Sequence, residues 1–259
     1  MRPDLDTLLD FAARTAVRAG EITYELFCNS VVEYKGDGSE VTAADRAAEA
    51  YIHSAIQEAF PDDGVLGEEG ADVASRSGRR WLVDPVDGTR SFAAGVPLYT
   101  VLLALEENGA PLLGCCHVPA TGETLVAATG AGAWLNGSPA RVSACETLQE
   151  ARVVTSGFEY WRDYGDDAMC AGWDQLVSRS RWARTWGDGF GYLLVATGRV
   201  DLLADPITGN PWDFTPFLPI LQEAGARFTT FNGQPIAAWS TALAANPRLH
   251  AAAAECWAP

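Results

Sequence analysis

Two carboxylates stand three residues apart directly after a short apolar run, in Trp81-Leu82-Val83-Asp84-Pro85-Val86-Asp87-Gly88-Thr89. A strand over 81–83 would bring Asp84 to its carboxyl end, where α/β enzymes place ligands. Carboxylates this close repel each other unless protons or cations neutralise them, and Mg²⁺ takes carboxylate oxygens together with substrate phosphate. Gly88 lets backbone amides approach an anion, and the Thr89 hydroxyl follows it. The segment predicts a cation and phosphate site; a solvated Asp-Pro turn is the alternative.

Three further acidic motifs flank this segment in the chain. They are Val41-Thr42-Ala43-Ala44-Asp45 and Gly67-Glu68-Glu69 upstream, and Pro211-Trp212-Asp213 downstream. In this order, the four motifs resemble the signature of the inositol monophosphatase superfamily. The resemblance runs from about residue 5 to about residue 250, nearly the whole chain.

The resemblance implies a metal-ligand role for each matching residue. Glu68 would be shared between two cation positions, and Asp84 would bridge two metals. The backbone carbonyl of Val86 would bind the first metal, whereas Asp87 and Asp213 would complete the second position. Two or three Mg²⁺ ions per subunit are implied, with Mn²⁺ as an alternative ion.

The same resemblance implies the catalytic groups, Asp45, Thr89 and Glu68. Thr89, paired with Asp45, would orient and help deprotonate the attacking water, while Glu69 would either support the loop of Glu68 or act through water. The amides of Gly88 and Thr89, at a helix start, would hold phosphate oxygens. The implied reaction is direct attack of water on a phosphate monoester, without a covalent phosphoenzyme and with lithium sensitivity. A metal-binding regulatory or scaffold protein of the same fold is the non-enzyme alternative.

A second block is expected to face the organic part of the substrate. It includes Gly187, Asp188 and Gly189, with Asp188 where inositol-type members usually have a small neutral residue. The strings Gly-Asp-x-x-Gly-Tyr and Asp-Pro-x(4)-Pro-Trp-Asp look similar to the histidinol-phosphate phosphatases of the superfamily. Those relatives tend to carry a larger residue in place of Gly189. The expected substrate contacts are Asp87, Gly187, Asp188, Gly189, Asp205 and Asp213.

The candidate substrates can be ranked by the charged groups that they carry. Histidinol phosphate carries an ammonium group and an ionisable imidazole, for which Asp188 and Asp205 are fitting partners. Asp188 could equally cap the helix that starts near Gly187. The sequence therefore favours a histidinol-phosphate phosphatase of histidine biosynthesis. The alternative is an inositol-1-monophosphatase or a broad-specificity sugar-phosphate phosphatase.

Composition excludes several classes of protein. The chain has 259 residues, 48% of them hydrophobic, with 18 basic and 34 acidic residues and a net charge of −16. Such a chain is too apolar for disorder and too acidic to bind nucleic acid or an anionic membrane. The acidity either keeps the surface soluble or gathers carboxylates around cations. Six cysteines without a CxxC motif and an N-terminus unlike a signal peptide favour a reduced, cytoplasmic protein without zinc.

Periodicity indicates mixed helices and strands, and thus an α/β or α+β enzyme. We expect a helix break at Gly20, an N-cap at Thr42 with Asp45 three residues on, and an end to regular structure at Pro85 and Gly88. Adjacent Cys115 and Cys116 are expected in the core. Helices are expected over 5–27, 42–60, 187–197 and 212–224, and strands over 81–83, 99–105, 112–118, 123–128, 151–155, 200–204 and 227–231.

The resemblance also implies the layered αβαβα sugar-phosphatase fold and a homodimer. We expect a single domain over 1–259, with a soft subdivision near 140–150. It would separate a metal-binding α+β half, 1–145, from an α/β half, 146–259. Residues 31–40 suggest a hairpin edge, in which Lys35 is either a solvated charge or near the site. The charged aromatic segment 159–164 is open to three interpretations, as a lid, an interface loop or a substrate contact.

Overall fold

The computed structural model describes residues 4–28, 32–34, 36 and 40–258; Lys35 lies outside them. The helices are α1 (Leu5–Leu26), α2 (Ala43–Ala59), α3 (Thr89–Ala93), α4 (Phe158–Tyr164), α5 (Asp167–Arg179), α6 (Asp188–Ala196), α7 (Pro211–Phe214), α8 (Phe217–Ala224) and α9 (Pro247–Ala254). The strands are β1 (Glu33–Tyr34), β2 (Glu40–Val41), β3 (Gly64–Gly67), β4 (Asp72–Val73), β5 (Arg79–Asp87), β6 (Thr100–Glu107), β7 (Ala110–Val118), β8 (Glu123–Ala128), β9 (Gly132–Leu135), β10 (Ser138–Pro139), β11 (Arg152–Val154), β12 (Trp182–Arg184), β13 (Leu202–Asp205), β14 (Arg227–Thr229) and β15 (Ala242–Ala245).

An eight-stranded sheet, in the order β10-β9-β8-β7-β6-β5-β3-β4, forms the centre of the first half. Its central strands are continuously apolar because both faces are covered. Leu103 and Cys115 point into the core under α1 and α2, whereas their chain neighbours Leu102 and Cys116 belong to a second core. Both cysteines are fully buried, as expected from the sequence.

A five-stranded sheet, in the order β12-β11-β13-β15-β14, follows in the second half. Helices α6 and α8 lie between the two sheets, and their Leu193 and Ile220 share a core with Leu102 and Leu203. Helices α5 and α9 cover the outer face of the second sheet. The layers therefore alternate αβαβα, which confirms the expected fold class. The subdivision near residues 140–150 stays a prediction.

Two features of the N-terminal half differ from the predictions. Helix α1 runs without a break through Gly20, because this glycine allows close packing rather than ending the helix. A Cβ there would lie 2.5 Å from Cδ2 of His117 on β7. Strand β5 continues through Pro85 to Asp87, where regular structure was expected to end, and its register with β6 shifts between Asp84 and Asp87. A proline is tolerated there because such a bulge does not need its missing N–H.

The predicted helix 212–224 is two helices, α7 and α8. Pro216, between them, has no N–H to donate to the preceding turn, so the helical hydrogen bonding is interrupted. The capping box at the start of α2 is confirmed: Thr42 is its N-cap, with Asp45 at N3. None of the helices in the described part of the chain combines the length and apolar character that crossing a bilayer requires.

Candidate active site

The bulged end of β5 supplies the first acidic pair. The backbone N–H of Val86 donates to Oδ1 of Asp84 at 3.0 Å, which turns the chain around that carboxylate. Gly88 then adopts a left-handed conformation, with φ of +84°, and α3 begins at Thr89. The Thr89 hydroxyl donates to the carbonyl of Val86 at 3.0 Å. One short stretch of chain therefore places Asp84, Asp87 and the amino end of a helix side by side.

Side chains from two other elements converge on Asp84, which is 2% exposed. Glu68, after β3, and Asp213, on α7, are both within hydrogen-bonding reach of its carboxyl group. Burial, followed by the charges of Glu68, Asp87 and Asp213, raises the pKa of Asp84 well above its ordinary value. Burial likewise raises the pKa of Asp213 to about 7, although the N–H of Asn210 donates to it at 2.7 Å.

Asp87 is held at the junction between the two halves of the chain. Its Oδ2 accepts hydrogen bonds from the hydroxyl of Thr100, at 2.8 Å, and from the N–H of Gly189, at 2.6 Å. Burial, then the charges of Asp188 and Asp213, raises its pKa well above the ordinary value. A Cβ on Gly189 would lie 2.6 Å from that same oxygen. Gly189 is therefore required here for close approach, while the larger residue expected at this position in similar phosphatases stays a prediction.

Asp188 is the first residue of α6, and the N-cap position belongs to Gly187. It is one of few non-glycine residues with positive φ, at +50°, a conformation that is costly and concentrates at functional sites. Burial raises the pKa of its carboxyl group. A Cβ on Gly88 would lie 3.5 Å from Oδ2 of Asp188, so this carboxylate faces the turn before α3.

Asp205 lies at the end of β13 and is 2% exposed. Its Oδ1 accepts from the Thr155 hydroxyl at 2.6 Å and the Ser156 N–H at 2.8 Å, and its Oδ2 accepts from the Ser156 hydroxyl at 2.7 Å. Ser156 in turn accepts from the N–H of Asp188 at 2.8 Å. Burial raises the pKa of Asp205 to about 7. Asp205 thus positions the start of α6, and direct contact with a substrate stays a prediction.

Asp45 is fully buried on α2. Its Oδ2 accepts from the N–H and the hydroxyl of Thr42, at 2.9 and 2.6 Å. Its Oδ1 is buried without a hydrogen-bond partner among the described residues. Burial raises its pKa, and the charge of Glu68 raises it further. Because the Thr89 hydroxyl donates elsewhere, its pairing with Asp45 stays a prediction.

Glu49, which sequence reasoning missed, anchors the loop that carries Glu68. Its two carboxylate oxygens accept from the N–H groups of Glu69, at 2.8 Å, and Ala71, at 2.9 Å. Gly67 packs directly against this carboxylate, where a Cβ would clash. The spacing in the sequence could have indicated Glu49, because it follows Asp45 by four residues and so lies on the same face of the helix.

A cavity of about 640 Å³ brings most of the predicted residues together. Asp45 and Gly187 are absent from its lining, whereas Glu159 and Tyr160, from the segment 159–164, belong to it, as does Trp239, which the sequence had not indicated as a site residue. The predicted residues in the lining are Glu68, Asp84, Val86, Asp87, Gly88, Thr89, Asp188, Gly189, Asp205 and Asp213.

The donor set at the base of this cavity fits hard divalent cations. It consists of carboxylates that raise one another's pKa, and the buried Asp45, outside the lining, adds its charge to that of Glu68. Oxygen donors of this kind are the ligands that Mg²⁺ takes. Within the described ranges, no three His, Cys, Asp or Glu side chains are already arranged as a metal-ion shell.

Known proteins share this sequence and architecture. The model of the inositol monophosphatase family matches residues 4–258. The chain is 42% identical to a histidinol-phosphatase of Chlorobaculum parvum over 236 residues, 90% of this chain and 88% of the relative. It is 33% identical to a fructose-1,6-bisphosphatase/inositol-1-monophosphatase of Thermotoga maritima over 90% of this chain and 88% of the relative. A solved inositol monophosphatase structure from T. maritima matches with a TM-score of 0.87 at 31% identity, covering 98% and 97% of the two chains.

Because the pKa of Asp213 is raised in the folded protein, the free energy of unfolding of the wild type should depend on pH. Asp213→Asn should lack this part of the pH dependence. The folded-state pKa, about 7, exceeds the ordinary value of 3.8, so the folded protein binds more protons between these values and its stability falls as pH rises. Between about pH 4 and about pH 7, we expect the wild type to lose on the order of 3 kcal/mol relative to Asp213→Asn.

Urea unfolding with a chelator present measures this difference. His117 and His250, whose pKa burial lowers to about 4, change stability in the opposite direction. Both proteins contain them, so their effect cancels. A difference in unfolding free energy that does not vary with pH contradicts the prediction.

Proposed function

The chain belongs to the inositol monophosphatase family and is a phosphoric monoester hydrolase, and we propose that it hydrolyses L-histidinol phosphate to L-histidinol and inorganic phosphate. One observation carries the proposal: four carboxylates and the amino end of α3 converge in a single cavity. The similar histidinol-phosphatases support this choice of substrate. Family membership favours an enzyme over a metal-binding regulatory protein of the same fold.

The acidic end of the cavity would hold the cations. We assign the metal ligands to Glu68, Asp84, Asp87, Asp213 and the carbonyl of Val86, with two or three Mg²⁺ ions, or Mn²⁺ in their place. Members of the family generally depend on Mg²⁺. When bound, such ions lower the pKa of a water molecule and offset charge on the phosphate and leaving oxygens.

The chain's own groups would bind the phosphate and move the proton. The N–H groups of Gly88 and Thr89, at the start of α3, donate to phosphate oxygens. Thr89 and Asp45 orient the attacking water and accept its proton, a role that suits the unpartnered Oδ1 of Asp45. The water oxygen forms a new P–O bond as the bond to the alcohol oxygen breaks. The alcohol oxygen takes up a proton from solvent and Asp45 returns its proton to solvent, so the products are L-histidinol and hydrogen phosphate.

The other end of the cavity would recognise the organic part of the substrate. Asp188 pairs with the substrate ammonium group, since its carboxylate faces the turn at Gly88. Gly187 and Gly189 keep the start of α6 close to Asp87, and Asp205 holds that start through Ser156. The homodimer, cytoplasmic location and lithium sensitivity remain predictions.

A second candidate substrate is myo-inositol 1-phosphate or a related sugar phosphate. It is favoured by the 33% identity to the fructose-1,6-bisphosphatase/inositol-1-monophosphatase of T. maritima. Asp188 argues for the first candidate, because a carboxylate at the organic end favours a cationic group over a neutral polyol.

Turnover of L-histidinol phosphate and myo-inositol 1-phosphate by the same preparation tests the substrate. We expect kcat/KM to be at least about tenfold higher for L-histidinol phosphate, because only this substrate gives Asp188 a charged partner. Released phosphate measures both reactions. A tenfold preference for the inositol phosphate would refute the choice of substrate and leave the phosphatase assignment standing.

Removal of the cations or of their ligands should abolish hydrolysis. EDTA is expected to stop phosphate release and added Mg²⁺ to restore it. Asp87→Asn and Asp213→Asn should each lower kcat by about 10³-fold, because each removes a charge that would bind a cation. Asp10→Asn, at an exposed acid of α1 paired with Arg14, serves as the matched control. Near-wild-type activity of either site variant at saturating Mg²⁺ would overturn the ligand assignment.

Asp188→Ala separates recognition of the substrate from helix positioning. We expect kcat/KM for L-histidinol phosphate to fall by about 10- to 100-fold, because a charge-assisted hydrogen bond is lost. Hydrolysis of p-nitrophenyl phosphate, which has no ammonium group, should change by less than about threefold. Equal losses on the two substrates would favour a purely structural role for Asp188.

A further inference from the structure

Helix α4 places charged and aromatic side chains in the same cavity as the amino end of α3. Phe158, Glu159, Tyr160 and Tyr164, together called the α4 wall, all line it. Phe158 is 60% exposed and Tyr164 is 53% exposed. Grouped exposed aromatic side chains are unusual on a soluble surface and mark binding sites. Neither the cation ligands nor the phosphate-binding amides account for this wall.

The α4 wall is tied directly to α3. Arg90, the residue after Thr89, donates from Nη1 to Oε1 of Glu159 at 2.9 Å. Its guanidinium group also lies 5.6 Å from the centre of the Tyr160 ring. An exposed ion pair adds little stability, so its consequence is geometric. It connects the helix that would bind the phosphate to the wall facing the rest of the substrate.

Tyr160 is the member of the wall that combines an aromatic ring with proximity to the acidic organic end. Its ring meets that of Tyr164 edge to face, with centres 5.9 Å apart. Burial raises the pKa of its hydroxyl, and the charge of Asp188 raises it further. An aromatic ring beside carboxylates is suited to a flat group that carries N–H donors or a positive charge.

We propose that Tyr160 determines substrate specificity by contacting the imidazole ring of the substrate, while Asp188 binds its ammonium group. The inference rests on the proposed function and deepens it. The ion pair between Arg90 and Glu159 lies beside this ring and connects α3 to α4. Of the three interpretations of the segment 159–164, this selects the substrate contact.

A comparison of two substrates isolates the contribution of the ring. L-histidinol phosphate and L-alaninol phosphate share the amino-alcohol phosphate, but the second has a methyl group in place of the imidazolylmethyl group. Their kcat/KM ratio in the wild type is the ring preference. Tyr160→Leu should lower this preference by about five- to tenfold, since an aromatic contact of this kind is lost. Tyr160→Phe, which retains the ring, should keep it within about twofold of the wild type.

Two controls show that a change is specific. Turnover of L-alaninol phosphate by Tyr160→Leu reports whether that variant is folded. Tyr24→Leu, at an exposed tyrosine of α1 outside the cavity lining, should leave the ring preference unchanged. Equal losses on both substrates in Tyr160→Leu, or a ring preference that survives the change, would overturn the role of Tyr160 alone. A wild type that prefers myo-inositol 1-phosphate would instead refute the proposed substrate.

Discussion

Repulsion among closely clustered carboxylates is the constraint on which this site depends. Asp84, Asp87 and Asp213 are held where burial and neighbouring charge both raise their pKa. Such a cluster costs stability whenever its members are ionised. A fold tolerates this cost only where surrounding groups determine the positions of the carboxylates. Bound cations would relieve the repulsion, so the same cluster would favour the cations that the proposed reaction needs.

Several different local features of the chain position the acidic residues. The bulge in β5 directs Asp84 and Asp87. Glu49 holds the loop of Glu68 through two backbone N–H groups, and Asn210 donates to Asp213. These features come from elements far apart in sequence, so the site exists only when both sheets and the helices between them are packed. The core that joins α6 and α8 to both sheets thereby determines the geometry of the proposed metal centre.

The two ends of the cavity differ in their chemistry. One end combines the acidic cluster with the amino end of α3, chemistry common to phosphate monoesters. At the other end, Asp188 and α4 add charge and aromatic surface, which can discriminate among alcohols. Asp205 contributes indirectly, through Ser156 to the first residue of α6. Side chains of α4 can thus change without disturbing the acidic centre, whereas the start of α6 is itself bonded to Asp87.

The sequence alone determined the family, the layered fold class and the acidic residues of the cavity lining, because the acidic motifs are short, local and placed at the ends of regular elements. Local patterns could not show that Gly20 and Gly189 serve close approach, or that Pro85 lies within a strand, since each depends on a distant partner or register. Glu49 came only from the structure, because it bonds a loop about twenty residues away. The structure also singled out Tyr160 within the segment 159–164, through its place in the cavity and the contact of its ring with Arg90 on α3. Side chains that act through contacts distant in sequence leave no spacing signal, so only tertiary packing decides their part in the site.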